Sequence, residues 1–294
     1  MTLAKLTERA KLQSAMEYLM TYGWAILIIA VVLGALFQLG VFNSSSFSPR
    51  APPGACQVFR PSGPGTTTNI NLMGVCTGQL PQYVAQFNGA SSYVDAGNPN
   101  VLNITGTQVT VSVWIKPNAL PVDTIAIASK GRLGSGGNVE EGYTLYTYSN
   151  VAYFVIKNST SFSRAQASVG LSTGNWYYLV GTYNGTSLRI YLNGVLSGTA
   201  SGSGNIKPNY RSFDIGASSG LGIFQGSISG VQVYNASLSA NQIQALYLEG
   251  IGGAPMKLQN LVGWWPLNGN SNDYSGNNNN GVPTAVTFTS QYGK

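Results

Sequence analysis

The chain contains no histidine. That removes the side chain most often used as a general base near neutral pH and the one most often found on metals. Charge of either sign is also scarce. Lys and Arg number 15, Asp and Glu 9, and together they make up 8% of 294 residues, against about a quarter in an ordinary soluble domain. So few carboxylates disfavour calcium sites, which need six to eight oxygens, and disfavour hydrolases that work through paired acids. A surface this thin in charge needs another way to stay in solution, either burial in an assembly or a coat of glycan. The basic residues behind the net charge of +6 are scattered, without the patch or stripe of a nucleic-acid binder, so nucleic acid is not an expected partner.

Against this background one segment stands out. No charge interrupts the chain between Glu17 and Arg50, and the first part of that run is strongly apolar. Residues 13–42 read as one helix, roughly 45 Å long at 1.5 Å per residue, with more than the ~20 apolar residues needed to span a bilayer. Lys5, Arg9 and Lys11 precede it and mark the cytoplasmic side. The segment is too long for the apolar core of a cleaved secretory signal, which runs only about 7–15 residues. Glu17, a carboxylate at the edge of this run, is expensive in a bilayer and calls for a partner and a task.

The run Lys11-Leu12-Gln13-Ser14-Ala15-Met16-Glu17-Tyr18-Leu19 with its apolar continuation resembles the N-terminus of archaeal type IV pilin-like proteins with a class III signal peptide. The resemblance implies a leader over residues 1–12 and cleavage between Leu12 and Gln13 by a prepilin-type peptidase. It also implies a retained helix over 13–42, with the Gln13 amine paired to Glu17 of a neighbouring subunit. The family usually has a small residue where Leu12 stands.

Residues 43–80 are rich in Ser, Pro, Gly and Thr and read as a stalk. Cys56 and Cys76, the only two cysteines, lie within it. On the outer side of a membrane they read as a disulfide, whose loop closure contributes about 3 kcal/mol in the chain-entropy model. The competing reading is two buried thiols, for which this stretch offers little apolar cover. Asn43, Asn103, Asn158, Asn184 and Asn235 each open an Asn-x-Ser/Thr triplet and are candidate glycosylation sites.

From residue 81 the texture changes to short strands. Val109–Ile115 alternates at period two and stops at Pro117. Further strands are expected at Tyr143–Tyr148, Val151–Lys157, Trp176–Tyr183, Ser187–Leu192, Phe213–Ile215 and Ile228–Tyr234, with hairpin turns at Asn184-Gly185 and Asn193-Gly194. Only Ser239–Leu248 looks helical. Short strands with regular turns make an antiparallel β-sandwich.

Gln86-Phe87-Asn88-Gly89 through Tyr93-Val94, Val111-Ser112-Val113-Trp114-Ile115, Gly174-Asn175-Trp176-Tyr177-Tyr178 and Leu188-Arg189-Ile190-Tyr191-Leu192-Asn193-Gly194 resemble the laminin-G-like, concanavalin A-like jelly-roll family. The family domain usually opens with a strand like Gly263-Trp264-Trp265-Pro266-Leu267. Here that strand lies near the C-terminus, so the head over 81–294 looks circularly permuted, with residues 258–288 supplying the displaced strand to its own domain or to a neighbouring subunit.

The resemblance to calcium-binding and sugar-binding relatives makes Asp95 and Asp214 the weak calcium candidates, against a plainer role at turns or strand ends. No other cofactor is expected. Glu140 and Glu141 read as solvated loop residues, and no enzyme activity is expected. Trp264 and Trp265, adjacent on a strand, must point to opposite faces, which makes them the candidate ligand-contact aromatics. The whole reads as a structural subunit of an extracellular pilus-like filament. Its partners would be copies of itself, the peptidase and assembly machinery, the membrane before assembly, and surface glycans. The alternative is a membrane-anchored glycan-binding adhesin that does not polymerise.

Overall fold

Alternating apolar residues along many short segments dictate two sheets that bury one face each against the other. The structure, a computed structural model, describes residues 20, 22–36, 83–132, 142–219 and 222–290. Two compact units are distinguished, one containing the N-terminal helix and the other the β-rich part.

In the first unit, residues 22–36 form helix α1. Among the described residues no helix is long and apolar enough to cross a membrane. Of the helix expected over 13–42, residues 13–19, 21 and 37–42 lie outside the described residues. Leu12, Gln13, Glu17, Asn43, Cys56, Cys76, Glu140 and Glu141, and with them the disulfide expected between Cys56 and Cys76, lie outside the described residues.

In the second unit every strand pairing is antiparallel. The strands, in chain order, are β1 (Val84–Asn88), β2 (Tyr93–Asp95), β3 (Val109–Pro117), β4 (Ile125–Lys130), β5 (Tyr143–Tyr148), β6 (Val151–Lys157), β7 (Phe162–Gly170), β8 (Tyr177–Tyr183), β9 (Ser187–Leu192), β10 (Val195–Ser201), β11 (Phe213–Ile215), β12 (Gln225–Tyr234), β13 (Leu261–Trp265), β14 (Val282–Thr284) and β15 (Thr287–Thr289). The first sheet runs β10-β9-β8-β3-β12-β1-β15, with β13 also on β12; the second runs β14-β2-β11-β4-β5-β6-β7.

The core between the sheets includes Val111, Leu145, Phe154, Ile190, Ile228, Val233 and Trp265. Full burial of an aliphatic or Phe side chain contributes about 1.5–3 kcal/mol. Gly181 on β8 is what lets the sheets meet at Phe154, since a Cβ there would sit 2.2 Å from the ring. Helix α2 (Ala240–Glu249) covers the outer face of the first sheet. Ser239 caps it by accepting from the Gln242 amide while the Gln242 side chain accepts from the Ser239 amide, which satisfies two otherwise orphaned donors. Ile243 and Leu246 of α2 pack with Trp114, Tyr178 and Tyr191 in a second apolar cluster.

Strand β12 is long enough to carry two partners on one edge. Ala85–Asn88 of β1 pairs with Gln225–Ile228, and Leu261–Trp265 of β13 pairs with Val231–Tyr234. The tail then continues along the sandwich, where β14 pairs with β2 and β15 with β1.

Candidate functional site

Strands β2, β11 and β4 lie side by side in the second sheet. Their register sets Asp214 opposite both Asp95 and Ser129, and Phe213 opposite Lys130. Residues facing each other in an antiparallel pair put their side chains on the same face of the sheet. The two carboxylates singled out in the sequence are therefore neighbours, although far apart along the chain.

Each carboxylate has one oxygen held by the backbone. The Gly97 amide donates to Asp95 Oδ1 at 2.7 Å, and the Ser219 amide donates to Asp214 Oδ2 at 2.8 Å. Asp214 is 5% exposed. Burial pushes its carboxyl up to about 6, and the nearby Asp95 adds to this, while the Ser219 amide and Lys130 act in the opposite direction.

Lys130 has no exposed surface. Its ammonium donates to Asn98 Oδ1 and to the Arg211 carbonyl. Burial lowers its pKa to about 8, with Asp214 and Asp95 opposing the shift. A lysine is seldom buried without partners, and here the two bonds tie the turn after β2 to the segment entering β11.

That segment is pinned on both sides of one residue. Asn209, 2% exposed, receives the Arg211 amide on its Oδ1 at 3.0 Å, and its own amide donates to Asn103 Oδ1 at 3.1 Å. Its Nδ2 donates to the Lys130 carbonyl at 3.4 Å. The Arg211 carbonyl is held by Lys130. Between these anchors Tyr210 stands 93% exposed. A pocket of about 480 Å³ opens here, lined by Tyr93, Asp95, Tyr210, Arg211, Ser212 and Asp214, with Ser219 beside them. Carboxylates can accept hydrogen bonds, the guanidinium can donate them, and tyrosine rings can cover a flat apolar face.

The other sequence candidates lie elsewhere. Trp265 is fully buried, stacked on Phe213 at 5.1 Å, and its Nε1 donates to the Asn279 carbonyl at 2.9 Å. This corrects its assignment as a ligand contact, because the two-residue period of the strand points it into the core. Trp264 is half-buried and meets Tyr274 edge-on at 6.1 Å, on the side of the second apolar cluster. Among the described residues no group of three or more His, Cys, Asp or Glu gathers to hold a metal, and Asp95 with Asp214 supplies only two carboxylates toward a calcium shell.

Of the Asn-x-Ser/Thr triplets, Asn158 is 7% exposed and its Nδ2 donates to the Ser203 carbonyl at 2.9 Å. The folded domain therefore closes that acceptor nitrogen. Asn184 and Asn235 are exposed and Asn103 is half-buried.

Sequence reasoning missed Tyr93, Lys130, Tyr210 and Arg211. One signal was present: Pro208-Asn209-Tyr210-Arg211 places an aromatic and a cation together in a turn-rich stretch, where no strand face exists to bury the ring.

A laminin G family model, described as the concanavalin A-like lectin/glucanases superfamily, matches residues 88–244. A crystallised Bacteroides ovatus protein, proposed to bind carbohydrate, is 18% identical with a TM-score of 0.56 over 70% of this chain. The chain spans 59% of that protein's length. Domain 4 of an extracellular arabinanase from Geobacillus stearothermophilus, solved with arabinotriose, is 19% identical with a TM-score of 0.43, covering 55% of this chain and 75% of that one. A heptameric pentraxin of Limulus polyphemus is 16% identical with a TM-score of 0.48, covering 71% and 94%. The Bacteroides likeness shows a shared fold; the other two superpose too loosely to argue from. No curated protein matches the chain. The family match begins after the apolar helix, so the pilin-like resemblance of residues 11–42 gains no support from it. By its family match over more than half its length, the chain belongs to the concanavalin A-like lectin/glucanase superfamily.

Proposed function

We propose that the β-sandwich is a carbohydrate-binding module that holds a glycan in the pocket beside β2 and β11. The observation that carries this reading is Tyr210: a ring 93% exposed, on a segment fixed on both sides by Asn209 and Lys130. An exposed aromatic costs solubility, and a backbone already fixed on both sides of it loses little further entropy when a ligand covers the ring. The carbon-bearing face of a sugar ring fits such a surface, and its hydroxyls fit the carboxylates and guanidinium beside it. Membership in a superfamily that includes lectins, and the fold shared with a Bacteroides protein proposed to bind carbohydrate, agree with this reading. They do not favour a filament subunit.

In this reading the module binds its glycan without cleaving it. Titration calorimetry of the protein with oligosaccharides tests the assignment. Binding is expected, and Tyr210→Ala should weaken it at least tenfold with an unchanged melting temperature. Binding unaffected by Tyr210→Ala would remove the pocket from the assignment.

A further inference from the structure

Resting on that reading, we propose that the pocket selects an uncharged sugar, and that Asp95 and Asp214 read it together by accepting hydrogen bonds from two adjacent hydroxyls of one ring. Like charges placed directly opposite one another in an antiparallel pair are unfavourable. The fold nevertheless keeps this pair, with one member 5% exposed and neither in an ion pair among the described residues.

Each carboxylate spends one oxygen on a backbone amide, at 2.7 and 2.8 Å. The second oxygen of each accepts no hydrogen bond among the described residues, and both side chains line the pocket. Two unused acceptors thus sit side by side, on residues whose Cβ atoms are about 5 Å apart in such a register. Flexible carboxyl groups on such neighbours can turn toward two donors held close together, such as the vicinal hydroxyls of one sugar ring. Hydrogen bonds to an ionised acceptor are roughly twice as strong as neutral ones.

Charge selects further. Arg211 lines the same pocket and the Lys130 ammonium lies behind it, so two cations balance two anions. A uronic, sialic or sulfated sugar would bring its charge against two carboxylates. An amino sugar would bring its charge against the guanidinium and the ammonium. Neither recovers its lost hydration in full. A hydroxyl donates to Asp95 or Asp214 and accepts from Arg211 with no charge to desolvate.

The full-length protein is applied to an array carrying neutral, uronic, sialylated, sulfated and glucosamine-rich glycans, and the best neutral hit is titrated by calorimetry. Neutral glycans are expected to dominate, with charged ones at least tenfold weaker. Asp95→Asn and Asp214→Asn should each weaken the best hit tenfold or more, and Arg211→Ala less. Melting temperatures confirm that the variants are folded.

Several results would overturn the proposal. They are a charged glycan as the best ligand, binding abolished by EDTA, release of reducing ends on incubation, or full affinity in both Asp variants. In the last case, loss of binding in Tyr210→Ala would spare the carbohydrate reading while rejecting this one. Silence across the whole array would reject both.

Discussion

On the outer face of the first sheet Trp114 and Tyr178 are buried against each other, with half-buried Tyr247 packed on them. Near the β14 edge of the second sheet Lys130 and Asp214 are buried beside amides, a facing carboxylate and an open pocket. Trp114 lies 5.0 Å from Tyr178 and 5.6 Å from Tyr247. Apolar surface removed from water there stabilises the fold, offset in part by the buried Tyr178 hydroxyl, which has no hydrogen-bond partner among the described residues. Lys130 and Asp214 do the reverse, since burial disfavours the charged form of each. The contrast separates residues kept for stability from residues kept in spite of it, and perturbed ionisable groups in a cleft are the usual mark of the second kind.

The largest expected effect is on the aromatic side. Trp114→Ala should cost about 3–5 kcal/mol, a large part of the ~5–15 kcal/mol of a typical domain, with sugar binding retained by whatever fraction stays folded. Denaturant melts measure it, and a loss below 1 kcal/mol would break the comparison.

The next effect is on the ionisable side and depends on pH. The Asp214 carboxyl is raised from 3.8 to about 6, so its ionisation opposes folding. Stability from this group is fully present below its unfolded pKa and is lost as pH rises through about 6, by on the order of 3 kcal/mol. Lys130 is lowered from 10.5 to about 8, so stability should recover as pH rises from about 8 toward 10.5. Together they predict a stability minimum between about pH 6 and pH 8. Asp214→Asn should erase its acid side, and a pH series of melting curves decides the matter. The same proton weakens the ligand, so sugar affinity should fall below about pH 6.

Ser239→Ala, which removes the cap of α2, should cost about 1 kcal/mol. Tyr210→Ala should leave stability within about 0.5 kcal/mol while binding is lost. A destabilised Tyr210→Ala protein would mean that the ring supports the fold and would blur the distinction.

The aromatic side was legible in the sequence and the pocket was not. Val109–Ile115 alternates and meets Pro117, and β3 ends there. Asn193-Gly194 signals a tight turn, and both residues take positive φ, 51° and 80°, as a two-residue hairpin turn of this kind requires. The helix expected from Ser239 begins one residue later, at Ala240, because Ser239 is its cap. Strands β4, β7, β10, β14 and β15 were not anticipated. Phe162–Gly170 and Val195–Ser201 are largely polar or broken by glycine and half-exposed, so they lack the apolar alternation that announces a strand. Asp95, Lys130 and Asp214 meet only because β11 is inserted between β2 and β4. No local pattern encodes that order. The opposite faces of Trp264 and Trp265 were legible, but not which of the two enters the core; stacking on Phe213 places Trp265 there.

The sharing of β12 between β1 and β13 sets a timetable for synthesis. A ribosome releases β1 long before β13, β14 and β15 exist, and until then one edge of the first sheet has bare amides and carbonyls and the core lacks Trp265. Such long-range pairing is slow to form and leaves strand edges open to other chains in the meantime. The nascent domain therefore has to be kept from its neighbours until residues 261–289 emerge, and a premature stop anywhere before them yields a chain fit for degradation rather than a smaller binding module.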